Sequence, residues 1–131
     1  MEKLSSQPSI KKVIKEFGNK FKITKESKNK FYFDGAYYSP DLVFYSKKTN
    51  KIEVILEVEQ GTRKHVVGGV ITADYCMGLL KERPIFYILA LTKQDLKDYK
   101  KRRKMINQYR KNIKKVIIGD LGDIIQALHN I

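Results

Sequence analysis

Apolar residues at positions 10, 13, 14 and 17 recur at the i, i+3, i+4, i+7 spacing of one helix face. The pattern predicts a helix opened by Pro8 and stopped by Gly18-Asn19, with residues 1–7 as a loose tail. Runs rich in Phe, Ile and Tyr at 21–24 and 31–33 read as short strands around a polar turn at 25–30, and Gly35 breaks the second. Ser39-Pro40 leads into a strand at 42–46; residues 47–51 are a hairpin turn containing Asn50, and 52–59 form the next strand. Thr62 then caps a helix at 63–80. The run 85–91 carries no charge, as expected of a strand covered on both faces. Thr92 caps a long basic helix at 94–112, with Leu96, Tyr99, Ile106 and Tyr109 on one side. A short strand at 116–118 and a helix marked by Leu121, Ile124, Ile125 and Leu128 finish the chain. An antiparallel meander followed by helix-strand-helix-strand-helix implies an α/β protein with a mixed sheet flanked by helices.

At 131 residues the chain is expected to be one domain, 1–131. No apolar run approaches the roughly 18 residues of a membrane span, and the N-terminus lacks the apolar core of a signal peptide. A cytoplasmic protein with no membrane partner is the expectation. The single cysteine, Cys76, excludes an internal disulfide and reads as a buried helical thiol. Charge changes the picture more. The formal net charge is +13 and the sequence pI about 9.8, a field that attracts polyanions, nucleic acid first among them. A Lys- and Ile-rich composition without nucleic-acid binding is the competing account.

Against that basic background an acidic cluster stands out. In the strand 52–59 side chains alternate, so Val54, Leu56 and Val58 face one way and Glu53, Ile55, Glu57 and Glu59 the other. With a three-residue loop pairing Lys47 with Lys51, Asp41 falls opposite Glu57; a two-residue turn leaves the two diagonal and still close. Three neighbouring carboxylates repel unless neutralised, and a hard divalent cation on oxygen ligands does that. The competing arrangement is a solvated sheet face whose glutamates pair with lysines.

The segment Ser39-Pro40-Asp41-Leu42-Val43-Phe44, a hairpin, and Ile55-Leu56-Glu57-Val58-Glu59-Gln60-Gly61 resembles the PD-(D/E)XK, or restriction-endonuclease-like, nuclease superfamily. The resemblance implies an αβββαβ core, followed here by a C-terminal αβα extension. It implies Asp41 and Glu57 as metal ligands, with the backbone carbonyl of Val58 as a further ligand and Glu16 as the candidate acid on the first helix. Catalytic roles thus fall to Asp41, Glu57 and Glu59, with Mg²⁺ or Mn²⁺ as the cofactor. Glu59 departs from the usual lysine. Some restriction enzymes of the superfamily carry glutamate there, as base or second-metal ligand; Lys64 is a candidate for a displaced cation. The implied reaction is hydrolysis of DNA phosphodiesters by a homodimer, since one active site cuts one strand, without a small-molecule cofactor. Resolvase-like and restriction-like members are not separated by the motif. The alternatives are a catalytically inactive DNA-binding protein of the same fold and a basic nucleic-acid-associated assembly protein.

Between Lys93 and Lys115 lie eleven Lys/Arg and two Asp, densest at Lys100, Lys101, Arg102, Arg103 and Lys104. These cations are candidate phosphate contacts or a plain solvated face. Arg63 and Lys64, at a helix start beside the acidic strand, suit phosphate better; His65 is a candidate general acid or an idle surface residue. Gln60 contacts a water shell, DNA, or only the strand end. Tyr37 and Tyr38 stack on bases or belong to the core. Gly68-Gly69 inside the helix costs about 1 kcal/mol per glycine relative to alanine. Close packing on the sheet or on a partner subunit is the expected reason, ahead of a backbone approach to DNA.

Overall fold

A computed structural model describes residues 7–61 and 63–131, with the side chains of Gln7, Arg63 and Lys64 outside that description. The expected tail through residue 6 and the expected Thr62 cap lie outside the described residues; Gln7 already opens the first helix. The centre of the fold is β5 (Ile52–Glu59), whose Val54, Ile55 and Leu56 are fully buried. On one side it pairs antiparallel with β4 (Leu42–Ser46), which pairs antiparallel with β1 (Phe21–Lys25). On the other it pairs parallel with β6 (Ile85–Ala90), itself parallel to β7 (Lys115–Gly119). The expected mixed sheet is therefore present, in the order β1-β4-β5-β6-β7.

Alternation along these strands builds two cores. Leu42, Phe44, Val54, Leu56, Val58, Tyr87 and Leu89 pack with α1 (Gln7–Phe17) and α5 (Leu121–His129) through Val13, Phe17, Ile124 and Leu128. Val43, Ile55, Phe86, Ile88, Val116 and Ile118 pack against α2 (Arg63–Leu80), α3 (Lys93–Lys101) and α4 (Arg103–Gln108). Ile52 joins this second core although an unbroken alternation would send it to the first. The pairing of β4 with β5 slips between Phe44 and Tyr45, from Phe44↔Val54 to Tyr45↔Ile52, so Glu53 is a bulge residue that turns Ile52 over.

Three expectations need correction. Residues 31–33 are not in the main sheet: β2 (Phe31–Phe33) pairs with β3 (Ala36–Tyr38) in a separate hairpin. Asp34 and Gly35 join them with φ of 44° and 80°, the two positive values of a tight two-residue hairpin turn, so Gly35 closes the hairpin rather than ending a strand. The long basic helix breaks at Arg102, which has ψ 5° and sends its N–H to the Tyr99 carbonyl at 3.0 Å. Lys100 and Lys104, four apart, would repel along a continuous helix, and across the break Tyr99 and Ile106 are both fully buried. Tyr109, expected on the apolar side, is exposed beyond it. Finally, a Cβ at Gly68 or Gly69 would meet nothing within 4 Å, so packing on the sheet does not explain either glycine.

One buried acid ties α2 to the chain entering β7. Asp74 Oδ1 accepts the backbone N–H groups of Lys111, Asn112 and Ile113 at 2.8, 2.9 and 2.9 Å. Gly78, one turn on, leaves the space that the Asn112 side chain occupies. Asp74→Ala removes the shared acceptor of three amides, and we expect a loss of about 3 kcal/mol, read as a lower urea midpoint.

Candidate active site

Leu42 pairs with Leu56, and extending that register by one residue sets Asp41 opposite Glu57. The expected juxtaposition is present, though the turn differs from the expected one. Ser46, not Lys47, meets Lys51 across residues 47–50, with Asn50 in the left-handed region at φ 59°. The Glu53 bulge then restores the alignment that the longer loop would have displaced.

The two strands brace each other at this point. The Asp41 N–H donates to Glu57 Oε1 at 3.1 Å, and Asp41 Oδ2 accepts the Val58 N–H at 2.7 Å. Tyr38 at the end of β3 donates its hydroxyl to Glu57 Oε2 at 3.1 Å. Asp41 is only 2% exposed, whereas Glu57 is half-buried. Behind them Asn29, 1% exposed, donates to the carbonyls of Thr24 and Pro40 at 2.9 and 3.0 Å, while Thr24 Oγ1 donates to its side-chain oxygen. Asn29 thus fastens the Pro40-Asp41 corner to the end of β1. Burial pushes the Tyr38 phenol well above its ordinary value, and the negative charge and hydrogen bond of Glu57 and the charge of Asp41 add to the rise. Cys76 is buried as expected, and burial raises its thiol, the opposite of an activated thiolate.

Glu59 shares a face with Glu57 but sits about 7 Å further along the strand. Its surroundings belong to α3. Thr92 caps that helix, as expected, by accepting the Asp95 N–H at 3.0 Å. Asp95 Oδ2 takes the Gly61 N–H at 3.4 Å, and the Tyr99 hydroxyl donates to the Gly61 carbonyl at 3.3 Å. Tyr99 is raised far above a free phenol by burial, then by the charges of Asp95, Glu59 and Asp98. The acids therefore divide. Asp41 and Glu57 surround Tyr38, while Glu59 stands with the acids of α3 around Tyr99.

Among the described residues no group of three or more His, Cys, Asp or Glu side chains converges as a metal site. The donor chemistry of the pair nonetheless fits a hard cation. Two carboxylates and the Val58 carbonyl are oxygen donors, and Mg²⁺ commonly uses one or two carboxylates with waters. Glu16 is engaged elsewhere: its Oε2 lies 2.9 Å from His129 Nε2 on α5. His65 and Gln60 are exposed, and the side chains of Arg63 and Lys64 lie outside the described residues. Lys100, Lys101, Arg103 and Lys104 are exposed and Arg102 half-buried; Lys101 and Arg102 line a shallow hollow with Asp98 and Met105. Of the two tyrosines, Tyr38 is core and site at once, and Tyr37 is exposed. Sequence reasoning missed Asn29, Asp95, and Tyr99 as a hydrogen-bond donor; nothing local marks them, because each acts across 11 to 38 residues of chain.

Two outcomes follow from these bonds. Asp41→Ala strands the buried Val58 amide and is expected to cost about 1–3 kcal/mol in denaturant titrations, whereas Asp41→Asn keeps an acceptor and costs less. In alkali, unfolded tyrosines lose their protons near pH 10 while Tyr38, Tyr87 (pushed up to about 12 by burial) and Tyr99 hold theirs. The folded state then binds more protons, so stability is complete below pH 10 and falls above it. Tyr38→Phe is expected to make that fall shallower in thermal melts taken between about pH 10 and 12. No family model, curated protein or solved structure matches the chain.

Proposed function

We propose that this chain is a metal-dependent DNA endonuclease of the restriction-endonuclease-like type, with α1, β1, β4, β5, α2 and β6 as its αβββαβ core. The observation that carries the reading is the Asp41–Glu57 pair, two carboxylates braced across a hairpin in a chain of net charge +13. Its position supports the reading too. Glu57 and Glu59 lie toward the carboxyl end of a strand with a parallel neighbour, where open α/β sheets bind ligands.

Asp41, Glu57 and the Val58 carbonyl would hold Mg²⁺ or Mn²⁺, which supplies Lewis acidity toward the scissile phosphate. Tyr38, held protonated by burial, fixes Glu57 by donating to one oxygen while the Asp41 amide fixes the other. Glu59, next on the same face, accepts the proton of the attacking water in the role the missing lysine leaves open. The cations of α3 and α4, with Arg63 and Lys64, contact phosphates, and two copies of the chain cut the two strands. A second reading, a catalytically inactive DNA-binding protein of the same fold, has its own support. Both Glu57 oxygens already accept hydrogen bonds from the chain, and Glu59 stands with the α3 acids.

The test is cleavage of linear, nicked, flap and four-way-junction DNA with Mg²⁺ or Mn²⁺. Asp41→Asn and Glu57→Gln are expected to abolish cutting, and Glu59→Gln to slow it about 10²-fold or more. Wild-type protein that cuts none of these substrates sinks the endonuclease. Salt-sensitive DNA binding without cleavage selects the second reading.

A further inference from the structure

The β2–β3 hairpin turns its two faces to different surroundings. Phe31, Phe33 and Tyr38 point inward, with Phe33 edge-on to Tyr75 at 5.8 Å and Phe31 at 6.5 Å from Tyr38. Tyr32 and Tyr37, direct cross-strand partners, point outward and are 73% and 54% exposed. Their ring centroids are 5.8 Å apart and the planes tilted by 54°, so neither ring covers the other. The Lys30 ammonium lies 5.5 Å from the centre of the Tyr37 ring. Lys28 and Lys30 immediately precede the hairpin, and the turn's own acid, Asp34, is taken by the Tyr75 hydroxyl at 2.7 Å.

We propose that this outer face is a stacking platform for unpaired nucleotides of DNA, on the same hairpin whose inner face holds the carboxylate pair. Two exposed aromatic rings, with the Lys30 ammonium over that of Tyr37, match a base on a phosphodiester backbone: a ring takes the flat base and the cation takes a phosphate. Paired bases inside a duplex are stacked on their neighbours and offer no free face, so the platform selects single-stranded or splayed segments. Tyr37 is followed by Tyr38, which points to the opposite face and holds Glu57 through its hydroxyl, and then by Ser39-Pro40-Asp41. A strand stacked on the outer face therefore reaches the pair around the edge of the hairpin. This link to cleavage rests on the endonuclease reading; binding by the hairpin does not.

The test measures fluorescence anisotropy of a labelled oligothymidine and of a fully paired duplex, with EDTA present so that nothing is cut. Tyr32→Ala and Tyr37→Ala are each expected to weaken oligothymidine binding about five-fold or more and to leave duplex binding unchanged. Tyr32→Phe and Tyr37→Phe, which keep the ring, stay within about two-fold and keep the proposal testable should an alanine variant misfold. Lys30→Ala lowers the slope of log K against log salt, and the tyrosine variants do not. Wild-type protein that fails to bind the oligothymidine overturns the proposal. So do folded alanine variants that bind like wild type, an equal loss on duplex, or phenylalanine variants as weak as alanine. The two readings separate cleanly. Ring-dependent binding without any cutting keeps the platform and removes the endonuclease, whereas cutting lost in Asp41→Asn with ring-independent binding does the reverse.

Discussion

Asp41 and β5 exchange two hydrogen bonds, the amide of one residue to the carboxylate of the other strand and a carboxylate back to an amide. Everything around the site depends on that exchange. A carboxylate as deeply buried as Asp41 is tolerable only when hydrogen-bonded, and the Val58 amide supplies one such bond. The same bonds clamp the start of β4 to the end of β5, beyond the last regular pair of the ladder. Asn29 and Tyr38 then extend the clamp outward, one to the end of β1 and the other to the hairpin. Burial, strand order and the hydrogen-bond acceptor of Asp41 are thus one constraint at this place.

The second half of the site is built on other principles. Glu59, Gln60 and Gly61 leave β5 toward α2, and α3 catches that exit through Asp95 and Tyr99. Gly61 has φ 100°, which a side chain would strain, so the chain can turn there and present both its N–H and its carbonyl to α3. Glu57 sits in a bracket of hydrogen bonds from Tyr38 and the Asp41 amide, while Glu59 adds its charge to those of Asp95 and Asp98 at the Tyr99 hydroxyl.

Much of this was legible in the sequence. The alternation in 54–59 gives the two faces, the uncharged run 85–91 gives the inner parallel strand, and Ser39-Pro40-Asp41 marks the corner. The Asp34-Gly35 turn was also legible, since that dipeptide between aromatic runs is a strong hairpin signal, and the reading of Gly35 as a mere break passed over it. The break at Arg102 was not: no glycine or proline interrupts 94–112, and nothing local distinguishes a long basic helix from two short ones. Asn29 and Asp74 were beyond reach for a related reason. Their partners are set by the finished fold, and their residue types are ordinary in polar loops and helices. The pairing of Asp41 with Glu57 was reached through the wrong loop, because a four-residue turn and a bulge together give the alignment of a three-residue turn.

That bulge decides where the hairpin can change length. Residues of the 47–50 loop lie outside the ladder, and Glu53 lies between two ladder pairs without belonging to either. Without Glu53, Ile52 would follow directly on Val54's neighbour position, still turned toward α2, and Phe44 would still meet Val54. A single deletion from Val54 to Val58 would instead turn a stretch of the strand over and drive Glu57 or an apolar neighbour to the wrong side of the sheet. The chain therefore keeps one dispensable residue within an otherwise indel-intolerant strand, and it sits at the opposite end from the carboxylates.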